Sequence, residues 1–399
     1  MKINKKRVIK NLYRLGEIGK DPEGGITRLP FSPEYYQAAE EIKSIMRQAG
    51  LRVQQDGTDS IFGKRAGLDN TLPSIMFGSH LDTVKNGGLF DGMLGIIAAL
   101  ECILVLNEQS ITTRHPLEVA VFNAEEGGEL GGTFASRIMV GIQDPEEEKL
   151  RGKIEKCGMT VDDLKSSRRE IDEIGAFLEL HIEQGRVLEN EGCCIGIVKG
   201  VVGITRYKIT VKGEANHAGT TPMNLRKDAL TAASRLVIAI EEIACSLPKP
   251  YVATVGKLDI HPGSMCIIPG QVDMILEIRD LNQERVADSV ERYKEVAEKI
   301  SGDHISFNKL IDKPAVTKDQ RIIEFIEKAC QESSIQYKIM ASGAGHDAKE
   351  IARRIPTGLI FVPSKGGRSH CPEEWTSRKD IYRGIEVLLQ SILLIDKML

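Results

Sequence analysis

The chain changes its hydrophobic pattern twice, and those two changes limit the folds open to it. Through the first 200 residues, apolar runs of strand length, LPSIMFGS (72–79), LEVAVFNA (117–124) and AFLELHI (176–182), alternate with helical patterns. Strands apolar on both faces, with helices between them, mark a parallel sheet covered on both sides. Near Arg206 the pattern becomes strict alternation. In RYKITVKG, Tyr207, Ile209 and Val211 fall on one face and Arg206, Lys208, Thr210 and Lys212 on the other, as in a half-exposed antiparallel strand. A helix over about 224–246, strands over 251–260 and 271–280, a helix over 282–300 and a strand over 304–310 complete this block. From about 319 the first pattern returns: a helix, the strand KIMA, another helix, the strand TGLIFVP (357–363) and a final helix. The expected fold class is α/β with two domains. A larger α/β domain with a central mixed, mostly parallel sheet takes residues 1–205 and 318–399, and an α+β domain over 206–317 is inserted into it.

Composition narrows the function classes. A length of 399 residues is comfortable for two domains. A net charge of −4, with no basic stripe, argues against nucleic acid as a main partner. The basic start, MKINKKRVIKNLYRL, lacks the apolar core of a signal peptide and reads as an amphipathic helix. The longest apolar run, after Asp91, is broken by Glu101, so no segment reads as membrane-spanning. Eight cysteines are scattered without a C-x-x-C pair; Cys193-Cys194 read as core or turn filling. Reduced thiols and a cytoplasmic location are the expectation.

The chemistry gathers where strands end. SHLDTVKNGGLFDG (79–92) places His80, Asp82 and Asp91 between a buried strand and an apolar helix. Open α/β sheets bind ligands at that carboxyl edge. FNAEEGGELGG puts Glu125-Glu126 after the next strand, and LELHIEQG puts His181 at the end of a third. GEANHAGTTPM carries His217, SGAGHDA carries His346 and GGRSHCPEEW carries His370. Five of the eight histidines therefore fall in glycine-rich motifs at strand ends or turns. Imidazole and carboxylate together suit zinc, manganese or cobalt. Two such ions need one bridging carboxylate and about two further ligands each. His80, Asp91, Glu126, His181 and His370 are available, and Asp91 can bridge. Glu125, beside a ligand but not one itself, has the position of a general base. Asp82, two residues from His80, reads as the partner that orients its imidazole.

The order H-x-D, D-G, E-E, H, H resembles the M20 metallopeptidase and amidohydrolase superfamily. The wording GSHLDTV, LFDG, EEGG, HIEQG, NHAGTTPM, SGAGHDA and GG-x-SH-x-PEEW is similar to its hydantoinase/carbamoylase subfamily, over about residues 10 to 395. That subfamily comprises N-carbamoyl-L-amino acid hydrolases, allantoate amidohydrolases and β-ureidopropionases. The resemblance implies one divalent ion on His80, Asp91 and His181 and a second on Asp91, Glu126 and His370. It implies Glu125 as catalytic base, passing a proton from the attacking water to the leaving nitrogen, with ammonia, carbon dioxide and a free amino acid or its ureido analogue as products. It also implies that His217, on an inserted lid domain, polarises the scissile carbonyl of the partner subunit's substrate. A homodimer formed through that domain follows. Gln184, Asn216, Arg279 and His346 match substrate-contacting positions, and the Asp91-Gly92 peptide is cis in the relatives.

Two positions depart from the subfamily. Cys266, in HPGSMCIIPG, stands where relatives carry a substrate-contacting asparagine, and a thiol replaces an amide poorly. Arg368, in GGRSH, stands where relatives have a small or apolar residue; it adds a cation beside the pocket or points to solvent. Arg279, in LEIRD, is either a surface arginine paired with Glu277 or Asp280, or a fork gripping a substrate carboxylate. The leading function is metal-dependent hydrolysis of a carbamoyl or ureido C–N bond on a small carboxylate. The alternatives are N-acyl or dipeptide hydrolysis by the same centre, and a non-catalytic ligand-binding relative.

Overall fold

The strand Ser74–His80 is buried along its whole length, and so are Leu117–Phe122 and Thr357–Val362. Each of these strands is covered on both faces, which is why no polar alternation shows in their sequences. In the computed structural model, which describes residues 2–399, they form the middle of one mixed sheet. Across it the strands run Arg52–Gln55, Ile61–Arg65, Leu117–Phe122, Ser74–His80, Ile174–Ile182, Thr357–Val362, Ile195–Val201 and Val316–Thr317, with Tyr337–Ser342 also paired to Ile195–Val201. Leu117–Phe122, Ser74–His80, Ile174–Ile182 and Thr357–Val362 are mutually parallel. The strands flanking them, Ile61–Arg65 and Ile195–Val201, pair antiparallel, so the sheet is parallel at its centre rather than throughout. His80 pairs with Phe122, and His181 with Phe361. That register brings four carboxyl ends to one edge, where a ligand site is expected.

The helix Met93–Glu108 is buried on almost every side and has no polar stripe. Such a helix must be enclosed by protein. Glu101, which interrupts its apolar run, is 2% exposed, accepts the Asn4 N–H at 2.6 Å and pairs with Arg7 Nε at 2.7 Å. A buried charge needs such partners. Arg7 belongs to the amphipathic helix Lys5–Gly16, whose Val8, Leu12 and Leu15 are buried.

The chain divides into two units, one running to Lys199 and resuming at Thr317, the other Gly200–Val316. The second unit is a four-stranded antiparallel sheet ordered Ile305–Lys313, Gly203–Lys212, Gln271–Asp280, Val252–His261. Tyr207, Ile209 and Val211 turn into its core with Val272, Met274, Leu276 and Ile278, and the helices Ala229–Ser246 and Gln283–Ser301 pack against them. The first of these helices starts at Ala229 rather than 224. Asp228 caps it by accepting Leu230 N and Thr231 N, while Met223–Leu225 form a separate 3₁₀ turn. Val252–His261 is an edge strand with side chains exposed on both faces. Among the described residues, no helix is long and apolar enough to cross a membrane.

Candidate metal centre

The turn after Ser74–His80 is built to return the chain to the sheet edge. Gly92 adopts φ +64°, and a Cβ there would come within 2.5 Å of the His80 ring. Only glycine fits both conditions. This turn sets Asp91 between three histidines. Asp91 Oδ1 lies 3.3 Å from His80 Nε2 and 3.1 Å from His181 Nε2, and the two imidazole nitrogens are 3.5 Å apart. Asp91 Oδ2 lies 3.4 Å from His370 Nε2, which is also 3.4 Å from Glu126 Oε1. The sequence-predicted ligands thus form two groups, His80–Asp91–His181 and Asp91–Glu126–His370, each able to hold a cation and sharing Asp91. Glu125 is beside them, with Oε2 at 3.9 Å from His80 Nε2.

Second contacts decide which nitrogens face the centre. His80 Nδ1 lies 3.0 Å from the Asp82 carbonyl and His181 Nδ1 2.9 Å from the Ile182 carbonyl. A carbonyl only accepts, so both Nδ1 atoms carry protons, and the two Nε2 atoms face Asp91, each offering a lone pair to a metal when its ring is neutral. Converging lone pairs and carboxylate oxygens repel unless a cation lies among them, so this donor set fits divalent metal ions. The N–H groups that reach these atoms are the backbone of Gly92, donating to His181 Nε2 at 3.2 Å, and Gln184 Nε2, donating to Asp91 Oδ2 at 2.7 Å. The first contact accompanies a correction. Among the described residues the cis peptides precede Pro250 and Pro262, and Asp91-Gly92 is trans, with the positive φ of Gly92 making the turn.

Asp82 also corrects an expectation. Its carboxylate does not touch the His80 ring. It is fully buried and accepts the backbone N–H of Glu125 at 3.2 Å and of Glu126 at 2.9 Å. Only its main-chain carbonyl orients His80. Ala124, Gln184 and His370 all have φ near +60°, and such left-handed residues cluster where a site demands an awkward backbone.

The charges are strongly biased. Burial pushes the Glu125 pKa well above the usual range, with Asp347, Glu126 and Asp82 adding to it against the opposing His80. Burial and then Asp91 push Glu126 up to about 7. For His80, burial would depress the pKa, but Glu125, Asp91 and Asp82 more than reverse this. The hydrogen bond to Asp91 takes His370 up to about 9. Carboxylates with raised pKa values beside cationic imidazoles are typical of reactive sites.

The remaining expected residues lie as follows. His346 is 1% exposed; its ring packs edge-on against His181 at 4.6 Å and its Nε2 is 3.2 Å from Ser342 Oγ, so it backs the His181 ring. Arg368 is exposed, 3.9 Å from Glu373, with no contact to the cluster: the solvent-facing alternative. In the second unit, His217 Nδ1 accepts the N–H groups of Gly219 at 3.0 Å and Thr220 at 3.2 Å. The proton therefore sits on Nε2, which becomes a donor. Asn216 Oδ1 accepts the His217 N–H, and the Cys266 carbonyl accepts Ala218 N–H, so Cys266 sits beside this loop. Arg279 Nε donates to Glu277 Oε1 at 2.8 Å, while Asp280 is held by Arg285.

Sequence reasoning missed Glu374, Ser369 and Glu179. Glu374 Oε1 accepts the N–H groups of Phe90 and Asp91, and its Oε2 lies 2.9 Å from Ser369 Oγ. Ser369 Oγ in turn lies 2.8 Å from Asp91 Oδ2. Burial and Asp91 raise the Glu374 pKa, so a proton on Glu374 donating to Ser369, with Ser369 donating to Asp91, satisfies the whole chain. Glu179 is fully buried behind His181, accepting Ser79 Oγ and Ala348 N–H. An acid inside the apolar run of LELHI was the available signal for it.

Comparison with known proteins identifies the family. Residues 76–394 match the model of peptidase family M20/M25/M40. The chain is 38% identical over 403 residues to an N-carbamoyl-L-amino acid amidohydrolase of Geobacillus stearothermophilus, covering 98% of each chain. It is 34% identical to the allantoate amidohydrolase of Escherichia coli over 387 residues, 94% of each. A crystal structure of a hydantoinase/carbamoylase-family amidase from Burkholderia multivorans superposes with a TM-score of 0.90 at 30% identity, covering 99% of this chain and 98% of that one. With its motifs in order along nearly the whole length, the chain belongs to peptidase family M20/M25/M40, within the hydantoinase/carbamoylase amidohydrolases.

Proposed function

We propose that the protein hydrolyses the carbamoyl or ureido C–N bond of a small carboxylate such as an N-carbamoyl-L-amino acid or allantoate, using two divalent ions, releasing ammonia and carbon dioxide. The observation that carries this reading is the pair of donor groups sharing Asp91, with Glu125 outside that pair and its Oε2 3.9 Å from His80 Nε2, close enough to group with His80 and Glu126. His80, Asp91 and His181 would hold one ion and Asp91, Glu126 and His370 the other. Zinc, manganese and cobalt suit this donor set. Bound there, such ions supply Lewis-acid activation of water and of the carbonyl.

The chain's own groups do the rest. Glu125 takes the proton of the attacking water and returns it to the leaving nitrogen; its raised pKa suits both transfers. His217 donates Nε2–H to the developing oxyanion, a role supported by the two amides that fix its tautomer. The buried Gln184 Oε1 has no hydrogen-bond partner, and a ureido N–H is a donor of the kind it requires. Asn216 contributes its side-chain amide. Arg279, exchanging Glu277 for substrate, grips the carboxylate. A homodimer through the inserted unit is supported by the uncovered edge strand Val252–His261, where Val252, Leu258 and Ile260 are exposed.

The test is ammonia and amino acid release by manganese-loaded protein, with chelated controls. The substrates are N-carbamoyl-L-amino acids, allantoate, N-carbamoyl-β-alanine, N-acetyl amino acids and dipeptides. Chelator-sensitive ammonia from a ureido compound supports the assignment. Amino acid released only from acyl or peptide substrates replaces it with the N-acyl or dipeptide reading.

A further inference from the structure

Resting on that reading, we propose that a pocket beside Glu126 receives the α-side chain of the substrate, which makes the preferred substrates N-carbamoyl amino acids with a large aliphatic or aromatic side chain. A cavity of about 550 Å³ opens next to the cluster, with Glu126 in its wall. Its other lining includes Leu29, Phe31, Val84, Leu130 and Cys157. Leu29 is 44% exposed, so its side chain is open to a ligand entering the cavity. Leu130 is buried in a small core of its own with Phe134, Ile138 and Ile154, and Phe31 and Cys157 pack against that core. The lining also carries Lys85, Glu129 and Lys156, of which Lys156 Nζ lies 3.2 Å from Glu129.

What separates this cavity from a surface groove is how its walls are held. One wall, Leu29–Phe31, follows Arg28, whose N–H donates to Thr83 Oγ1 at 2.8 Å and whose carbonyl accepts Thr83 N–H at 2.9 Å. Thr83 directly follows Asp82. The opposite wall, Glu126–Leu130, is tied to Asp82 itself through the Glu126 N–H. Both walls are therefore anchored to the segment that also carries His80. Their spacing is set against the reacting centre by buried and part-buried hydrogen bonds, so an apolar group seated there is held at a defined distance from it. A volume in this range suits a small ligand. A β-ureido acid has no α-substituent to place in it, and the second ureido group of allantoate is polar and would lose hydration there.

The experiment compares kcat/KM of the metal-loaded full-length protein on N-carbamoylglycine and on its L-leucine, L-methionine, L-phenylalanine and L-aspartate counterparts. The matching N-acetyl series is run in parallel. The leucine-to-glycine ratio should be about tenfold or more, since each buried methylene contributes discrimination. Leu29→Asp and Leu29→Trp should each lower that ratio about tenfold, the first by desolvating a charge and the second by filling the space. A wild-type ratio near one, or a ratio that both variants leave unchanged, overturns the proposal. Failure of the underlying reading looks different. Hydrolysis would then be confined to the N-acetyl series, and the leucine-to-glycine ratio in that series judges the pocket. If nothing is turned over, calorimetric binding of L-leucine against glycine, in wild type and Leu29→Asp, decides it.

Discussion

The carboxylate of Asp82 accepts the backbone N–H of Glu126 at 2.9 Å, and through that bond one buried acid positions the loop that bears Glu125 and Glu126. Its other oxygen takes the Glu125 amide at 3.2 Å. Asp82→Ala would strand two buried amides, at about 1–3 kcal/mol each. We expect a fall in melting temperature together with at least a hundredfold loss of kcat. Asp82→Asn, retaining one acceptor, should fall between. If Asp82→Ala kept full turnover, the loop would not depend on this anchor.

Glu125 stands beside the metal-ligand cluster without belonging to the two shared triads. Glu125→Gln keeps the shape and removes the proposed base. Turnover should drop on the order of 10²–10⁴-fold. Metal content by mass spectrometry and melting temperature should match the parent protein. Unchanged turnover would assign the proton transfer to another group.

Metal binding should depend on pH with a definite sign. In the metal-free protein His370 is pushed up to about 9 and Glu126 up to about 7. Both must lose their protons to ligate. Below pH 9 an incoming ion displaces a proton from His370, and below pH 7 one from Glu126 as well. Apparent affinity should therefore climb from about pH 6 to 9, most steeply at the acid end. Titration calorimetry at pH 7 in two buffers of different ionisation enthalpy should give different heats; identical heats would contradict proton release.

Glu374 supports Asp91 from behind through the amides of Phe90 and Asp91 and through Ser369. Gly88 packs so closely that a Cβ there would come within 2.0 Å of the Glu374 carboxylate. Glu374→Ala should weaken metal affinity about 10–100-fold, the usual cost of losing an outer-shell partner. Ser369→Ala should cost less, and Glu374→Gln should recover part of the loss because its amide oxygen can still accept. Competition with a chromogenic chelator measures all three. Parent-like affinity in Glu374→Ala would reduce the residue to a structural prop.

The sequence by itself determined which segments are buried strands, where the pattern turns antiparallel, and which acids and histidines stand at strand ends. These are local properties: side-chain period selects the face of an element, and glycine-rich turns mark where it stops. They sufficed to single out His80, Asp91, Glu126, His181 and His370 as side chains that the fold gathers, because strands running in parallel deliver their ends to a common edge. Tertiary structure decided what each acid holds. Asp82 reads as a partner for His80, two residues away, yet its carboxylate serves amides 43 and 44 positions downstream. Glu374 reaches Asp91 across 283 positions, and nothing in PEEW points to that partner. His346 lies in a motif worded like a ligand site, but packing turns its ring onto His181. Periodicity specifies direction without specifying partner. Hydrogen-bond partners between distant segments exist only once the sheet register and the turns have brought those segments within about 3 Å of each other.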